Sequence, residues 1–255
     1  MELQIFAFEN FPEVEPISFL PDIILKSSEE NKWKWQDGDI LIIAQKIVSK
    51  SENRIVNLQK IEPGQKAKIY ANSTGKDPRL IELILRESKK ILRTRNGLMI
   101  VQHKLGFVCA NAGIDHSNVK GLDGNSENWV LLLPENPDKS ADTIRNYIQE
   151  RSGKNIGVII IDSHGRPWRN GVVGISIGIS GVPGVVDKRG SLDRFGYQLR
   201  VTEIGTADEL AAAASILMGQ ANEGRPLVVV RGFPYDLREG SISELLREEN
   251  NDLFR

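Results

Sequence analysis

The stretch NIGVIIID, residues 155–162, decides the fold: an unbroken apolar run that closes on an aspartate. A strand with one face in water alternates apolar and polar residues, whereas a continuous run belongs to a strand covered on both faces. The carboxyl end of such a strand is where α/β sheets usually carry a ligand site, which makes Asp162 a candidate residue. Working outward, DILIIAQKIVS (39–49) reads as a second strand, and RIVNL (54–58) is expected to pair with it across the turn KSEN. Asn53 sits where that turn favours a positive φ. MELQIFAF reads as a first strand and PLVVVRG (226–232) as the last.

Between them, PGQKAKIYANST and DPRLIELILRESKK read as helices, the latter with Leu80, Leu83, Ile84 and Ser88 on one face. KILRT, GLMIVQH, GFVCAN and VLLLP (130–134) read as short strands. Ser140 is the expected cap of the helix ADTIRNYIQER, which Gly153 ends. Thr206 and Glu209 have the spacing of a capping box at the head of ADELAAAASILMG, and SISELLREE reads as a final helix. With no repeat and no linker, the expected fold class is mixed α/β (α+β): multi-stranded sheets with flanking helices in a single domain, 1–255.

The run GVVGISIGISGVPG (171–184) is neither G-x-G-x-x-G nor placed between a strand and a helix, so it is no dinucleotide fingerprint. Glycines in strands mark bulges or close backbone approach. A twisted central strand packed near a ligand or a symmetry mate is expected, and this run is the expected interface of a homodimer.

Composition bounds the rest. The chain has 255 residues, 40% hydrophobic and 26% charged, with a net charge of −1. No global field favours nucleic acid or anionic membranes. Its longest uncharged stretch is shorter than the roughly 20 apolar residues of a membrane span. The N-terminus lacks the basic region of a signal peptide, and the single cysteine, Cys109, excludes an internal disulfide. A soluble cytoplasmic protein with Cys109 as a buried small hydrophobe is expected.

No nucleotide loop is present: STGKD (73–77) has Tyr70 where a P-loop needs glycine. Three histidines without a cysteine cluster do not make a zinc centre, and His116 and His164 read as solvated. Asp115, in NAGIDHSN (111–118), closes a turn after a strand, as Asp162 ends one. Aspartates at strand ends are commonly turn or cap residues; the other reading is a site for Mg²⁺ or Mn²⁺, which take much of their coordination from water and phosphate. Lys46, Lys50, Arg166 and Arg169 lie near these strand ends, the charge pattern that phosphoryl transfer needs.

Five segments together resemble the coenzyme F-420-0:L-glutamate ligase (F-420 γ-glutamyl ligase) family. They are GDILIIAQKIVSKSENRI, CANAGIDHSNV, GVIIIDSHGRPWRNGVVGISIGISGV, DRFGYQL with TADELAAAASILMGQ, and PLVVVRG. The resemblance implies a family-specific mixed α/β fold, a homodimer, GTP as co-substrate and two divalent cations, Mg²⁺ or Mn²⁺. It implies F-420-0 and L-glutamate as the other substrates, joined through an acyl phosphate, with no nucleic-acid or membrane partner.

Carried over by position, Asp115 and Asp162 become ligands of one metal, and Ser163 and Gln220 complete a second site. Lys50 and Asn118 become GTP contacts, with Phe11, Pro12, Glu13 and Val14 and with Met218, Gly219, Gln220, Ala221, Asn222, Glu223, Gly224 and Arg225. Lys50, Asp115 and Asp162 become the catalytic set. Gln45 and Lys46 stand at the phosphates, where the family can carry small hydroxyl residues. The competing readings are a nucleotide-dependent carboxylate–amine ligase for another acid, a metal-dependent phosphohydrolase, and a nucleotide-binding regulator.

Overall fold

The apolar run at 155–162 lies in the middle of a five-stranded sheet. The computed structural model describes residues 2–122, 124 and 126–253. In chain order its elements are β1 (Gln4–Ala7), α1 (Leu20–Glu30), β2 (Ile40–Ala44), α2 (Gln45–Ser51), β3 (Ile55–Asn57), α3 (Gln65–Thr74), α4 (Pro78–Glu87), β4 (Ser88–Arg95) and β5 (Leu98–His103). There follow β6 (Val108–Ala110), β7 (Trp129–Leu131), α5 (Pro137–Ser152), β8 (Gly157–Arg166), β9 (Arg169–Ser180), β10 (Val186–Asp187), β11 (Glu203–Ile204), α6 (Thr206–Met218) and β12 (Leu227–Arg231).

The main sheet has the order β1-β12-β2-β8-β9, in which only β2 and β8 run parallel. Both faces are covered, as the unbroken run requires. Leu41, Ile43, Val158 and Ile160 point into one core with Ile24 of α1 and Ile144 and Ile148 of α5. Ile40, Ile42, Ile159 and Ile161 point into the other, against Leu210, Ala211 and Ala214 of α6. Each such aliphatic side chain contributes about 1.5–3 kcal/mol on burial. β4, β5 and β6 form a separate antiparallel sheet, and β3 pairs with β7. The fold class is mixed α/β with several sheets, and no helix among the described residues is long and apolar enough to cross a membrane.

Several local expectations are corrected. The strand expected over 39–49 stops at Ala44 and continues as α2, so RIVNL pairs with β7 and not with it. The helix α5 starts at Pro137 with Asn136 as its cap, which accepts from the Lys139 N–H at 3.1 Å; Ser140 lies inside it. Thr206 makes no capping box, because its hydroxyl donates to the Pro183 carbonyl at 2.9 Å and Gly205 takes the cap position. The segment SISELLREE forms a short 3₁₀ turn, Ile242–Glu244, in place of an α-helix. α1 has no counterpart among the helices expected from the sequence.

The glycine run lies in β9 as far as Ser180, and β9 is an edge strand and not a central one. A Cβ on Gly174 would lie 2.5 Å from the Ala211 carbonyl oxygen of α6, and one on Gly178 would lie 2.5 Å from the Pro137 carbonyl carbon of α5. The missing side chains let two helices of the same chain sit directly on the strand, so at these positions close approach serves the monomer.

Candidate functional site

β2 and β8 end their parallel pairing side by side at Ala44 and Ile161. Beyond that point β2 turns into α2, while β8 runs on through Asp162 to Arg166 as a hairpin with β9. Asp162 is therefore inside a strand, not at its end, although it does stand where the parallel pairing stops. The divergence opens a cleft of about 1670 Å³. It is lined by the residues from Phe11 to Val14, by Gln45, Lys46 and Lys50, by Asp115 and Asn118, by Asp162 and Ser163, and by the segment from Met218 to Arg225. The structure thus brings every candidate site residue to one cleft.

Within it Asp115 is the most heavily engaged group. Its backbone bridges to Leu131, and its Oδ2 accepts from Gln45 Nε2 at 2.7 Å and pairs with Lys46 Nζ at 2.8 Å. Gln45 is buried, and its own Oε1 accepts from the Ser49 hydroxyl at 2.8 Å, so the amide is held in orientation. Burial raises the Asp115 carboxyl above its usual value against the pull of Lys46, and the nearby Asp162 charge raises it further. Both carboxylates line the same cleft and concentrate negative charge there.

Lys46 and Lys50 are four residues apart on α2, which puts both on the face that looks into the cleft. Lys50 is ion-paired with Glu13 of the N-terminal loop. Ser163 donates to Gln220 Oε1 at 2.9 Å, and Asn118 Nδ2 donates to the Ala221 carbonyl at 2.9 Å. These two bonds tie the segment after α6 to β8 beside Asp162 and to the loop that carries Asp115. Gly219 has φ +73°, and a Cβ there would lie 2.1 Å from Glu223, whose carboxylate accepts from the Ala221 N–H at 2.8 Å.

His164 overturns its expected solvated role, while His116 is exposed. The His164 ring is buried, and its Nε2 lies 3.0 Å from Asp162 Oδ2. Residues two apart on a strand share a face, and that spacing was the signal available in the sequence.

Among the described residues no group of three or more His, Cys, Asp or Glu is placed to hold a metal. The donor set here is of another kind: two carboxylates with a serine hydroxyl and a glutamine amide oxygen alongside. All are hard oxygens, and they fit Mg²⁺ or Mn²⁺ completed by water and phosphate. Lys46 Nζ is the positive group paired with Asp115 in this structure.

Behind the site, Cys109 is buried as expected and its thiol is pushed up to about 12 by burial. His103 is also buried, stacked on Phe107 at 5.3 Å, with its Nδ1 accepting from the Leu105 N–H at 3.0 Å. Burial, aided by the Arg54 charge, holds the imidazole down at about 4 against an ordinary 6.5. Between those two values the unfolded chain binds the extra proton, so His103 makes stability fall as pH drops from about 6.5 towards 4. The expected contribution is roughly 3 kcal/mol. Denaturant melts at pH 7 and pH 4.5 should show a smaller loss for His103→Gln than for wild type. Equal losses would mean that the folded His103 takes up its proton at an ordinary pH.

The profile of the F420-0:Gamma-glutamyl ligase family matches residues 10–232, a span that holds every residue of the cleft named above. The chain belongs to this family. Three relatives are each named coenzyme F420:L-glutamate ligase. One, from Methanococcus maripaludis, is 46% identical over 225 residues, 88% of each chain. A second, from Methanothermobacter thermautotrophicus, is 42% identical over 257 residues and covers 100% of both chains. A third, from Archaeoglobus fulgidus, is 40% identical over 255 residues, covering 100% of this chain and 97% of its own. The family match ends just after β12, so the segment that follows, with its 3₁₀ turn, lies outside it.

Proposed function

We propose that this protein is a coenzyme F420-0:L-glutamate ligase that uses GTP, works with two Mg²⁺ or Mn²⁺ ions, and acts as a homodimer in the cytoplasm. The relatives' names support the ligation. The observation that carries the chemistry is the Asp115–Asp162 pair set opposite Lys46 and Lys50 in one cleft.

A carboxylate oxygen is too poor a leaving group to be displaced by an amine. In the proposed reaction an acceptor carboxylate oxygen attacks the γ-phosphorus of GTP, the bond to the β-phosphate oxygen breaks, and GDP departs with that electron pair. The amino nitrogen of L-glutamate then attacks the acyl carbon, the carbon–oxygen bond to phosphate breaks, and the nitrogen loses its proton to solvent. A second round joins a further glutamate through its amine to the γ-carboxylate of the first.

Lys46 and Lys50 offset phosphate charge, which is most of what a protein contributes to phosphoryl transfer. Asn118, bonded to Ala221, and the segment from Met218 to Arg225 frame the nucleotide. Asp115, Asp162, Ser163 and Gln220 would hold the divalent cations, which would add to the neutralisation of phosphate charge.

Incubation with GTP, Mn²⁺, L-glutamate and F420-0 should add the mass of one glutamyl unit, with GTP turnover that needs the acceptor and the amine. GTP turnover without either would favour a phosphohydrolase instead. Lys50→Ala should weaken GTP binding by about tenfold to a hundredfold, the equivalent of a lost charge-assisted contact of about 1.5–3 kcal/mol. Its melting temperature should barely move, because an ion pair with the exposed Glu13 contributes only about 0–1 kcal/mol. Wild-type affinity in a GTP titration would mean that the nucleotide lies elsewhere.

A further inference from the structure

Four arginines border one apolar stretch of cleft wall and are not among the residues assigned above to the nucleotide or the metal ions. Leu98 and Ile100 of β5 line the main cleft together with Arg166 and Arg169 of the β8–β9 hairpin. The same two residues line a small adjoining hollow with Arg93 and Arg95 of β4. Their register explains the grouping: Arg93 pairs with Ile100 and Arg95 with Leu98, and directly paired residues on antiparallel strands share a face.

Most arginines elsewhere are neutralised, as Arg54 is by Glu87, Arg231 by Asp39 and Arg238 by Glu244. These four form no ion pair with a described residue. Arg93 donates to the Leu92 carbonyl and Arg166 to the Asn170 carbonyl. The Arg166 Nε–H is buried and finds no acceptor among the described residues. Arg166 and Arg169 are also directly opposite each other across the hairpin, a like-charge pairing that is unfavourable by itself. An anion between them removes that repulsion and satisfies the orphaned donor.

We infer that this part of the cleft binds the acceptor: a flat aromatic ring lies on Leu98 and Ile100, and the acceptor's anionic tail is gripped by Arg166 and Arg169, with Arg93 and Arg95 at the outer edge. The inference rests on the ligase reading above and assigns its acceptor site. Guanidinium groups suit both halves of such a molecule, since they stack on aromatic faces and bind oxyanions in a fork.

The test is a titration of F420-0 by its ring fluorescence, with GTP binding measured in parallel by calorimetry. Arg166→Ala, Arg169→Ala and the double variant Arg93→Ala/Arg95→Ala should each raise the F420-0 dissociation constant, the first two by about tenfold or more. GTP affinity should stay at the wild-type value, and Arg169→Lys should recover part of the acceptor affinity. In turnover the acceptor KM should rise while kcat holds, the pattern of lost ground-state binding. If wild type adds glutamate and all the arginine variants bind F420-0 as wild type does, the acceptor site is wrong and the ligase reading stands. If F420-0 binds in an arginine-dependent way but is never glutamylated, the site stands and the ligase reading falls. Failure of wild type to bind F420-0 overturns the site.

Discussion

Asp162→Asn should abolish glutamyl addition, lowering turnover by more than about a hundredfold while the protein keeps its fold. The amide has the carboxylate's shape, and its oxygen can still accept from His164 Nε2, which stands 3.0 Å from Asp162 Oδ2. What disappears is one negative charge at the place where the Asp115 carboxyl is pushed up. Residues that merely support a metal ligand typically cost about 10–100-fold when lost, so losing Asp162, a ligand in the proposed reaction, should exceed the upper end of that range. Mn²⁺ binding followed by electron paramagnetic resonance gives a readout separate from turnover and should weaken in parallel. With its neighbour's charge removed, Asp115 should also titrate closer to an ordinary aspartate. Wild-type turnover and Mn²⁺ affinity in this variant would take Asp162 out of the chemistry.

Much of the main sheet was legible because its central strands bury both faces, and an apolar run such as 155–162 permits few other readings. The end of that run was less clear. Ser163 to Arg166 look like a loop by composition, yet they pair with β9 as far as Arg169. α2 was misread because Ile47 and Val48 are β-branched and favour strands, while the helix is set by burial of Gln45, Ile47, Val48 and Ser49. α1 went unseen since Ser27 and Ser28 occupy its buried stripe alongside Leu20 and Ile24, blurring the apolar period.

At α5 the better signal was available: Asn136 followed by Pro137 is a cap with proline at the first helical position. The site's residues could be named one by one, but not their contacts. Gln45 and Asp115 are 70 positions apart, and only the tertiary fold brings the amide onto the carboxylate. The role of the glycine run was hidden for the same reason, because what covers a strand face is not written in the strand.

Gly178→Ala should therefore destabilise the protein by about 3 kcal/mol, more than most single methyl additions. The new Cβ would lie 2.5 Å from both the carbonyl carbon and the Cβ of Pro137, and 2.6 Å from its carbonyl oxygen. The obstacle is backbone at the start of α5, not a flexible side chain that could swing away. Nor can either partner retreat cheaply. Asp138, one residue into that helix, accepts from the Ile179 N–H at 2.7 Å, and Ile177 and Ile179 on either side of the glycine are buried in the two cores. Moving β9 off α5 would break that bond and open both cores at once.

Gly165→Ala, in the same hairpin, is the matched control: its Cβ would meet nothing within 4 Å, and its stability should change by less than about 1 kcal/mol. Urea melts of both variants decide the matter. If Gly178→Ala unfolds at the same denaturant concentration as Gly165→Ala, then α5 does not rest on the strand as closely as described. The glycines of 171–184 would then be free to meet another surface, such as a second copy of the chain.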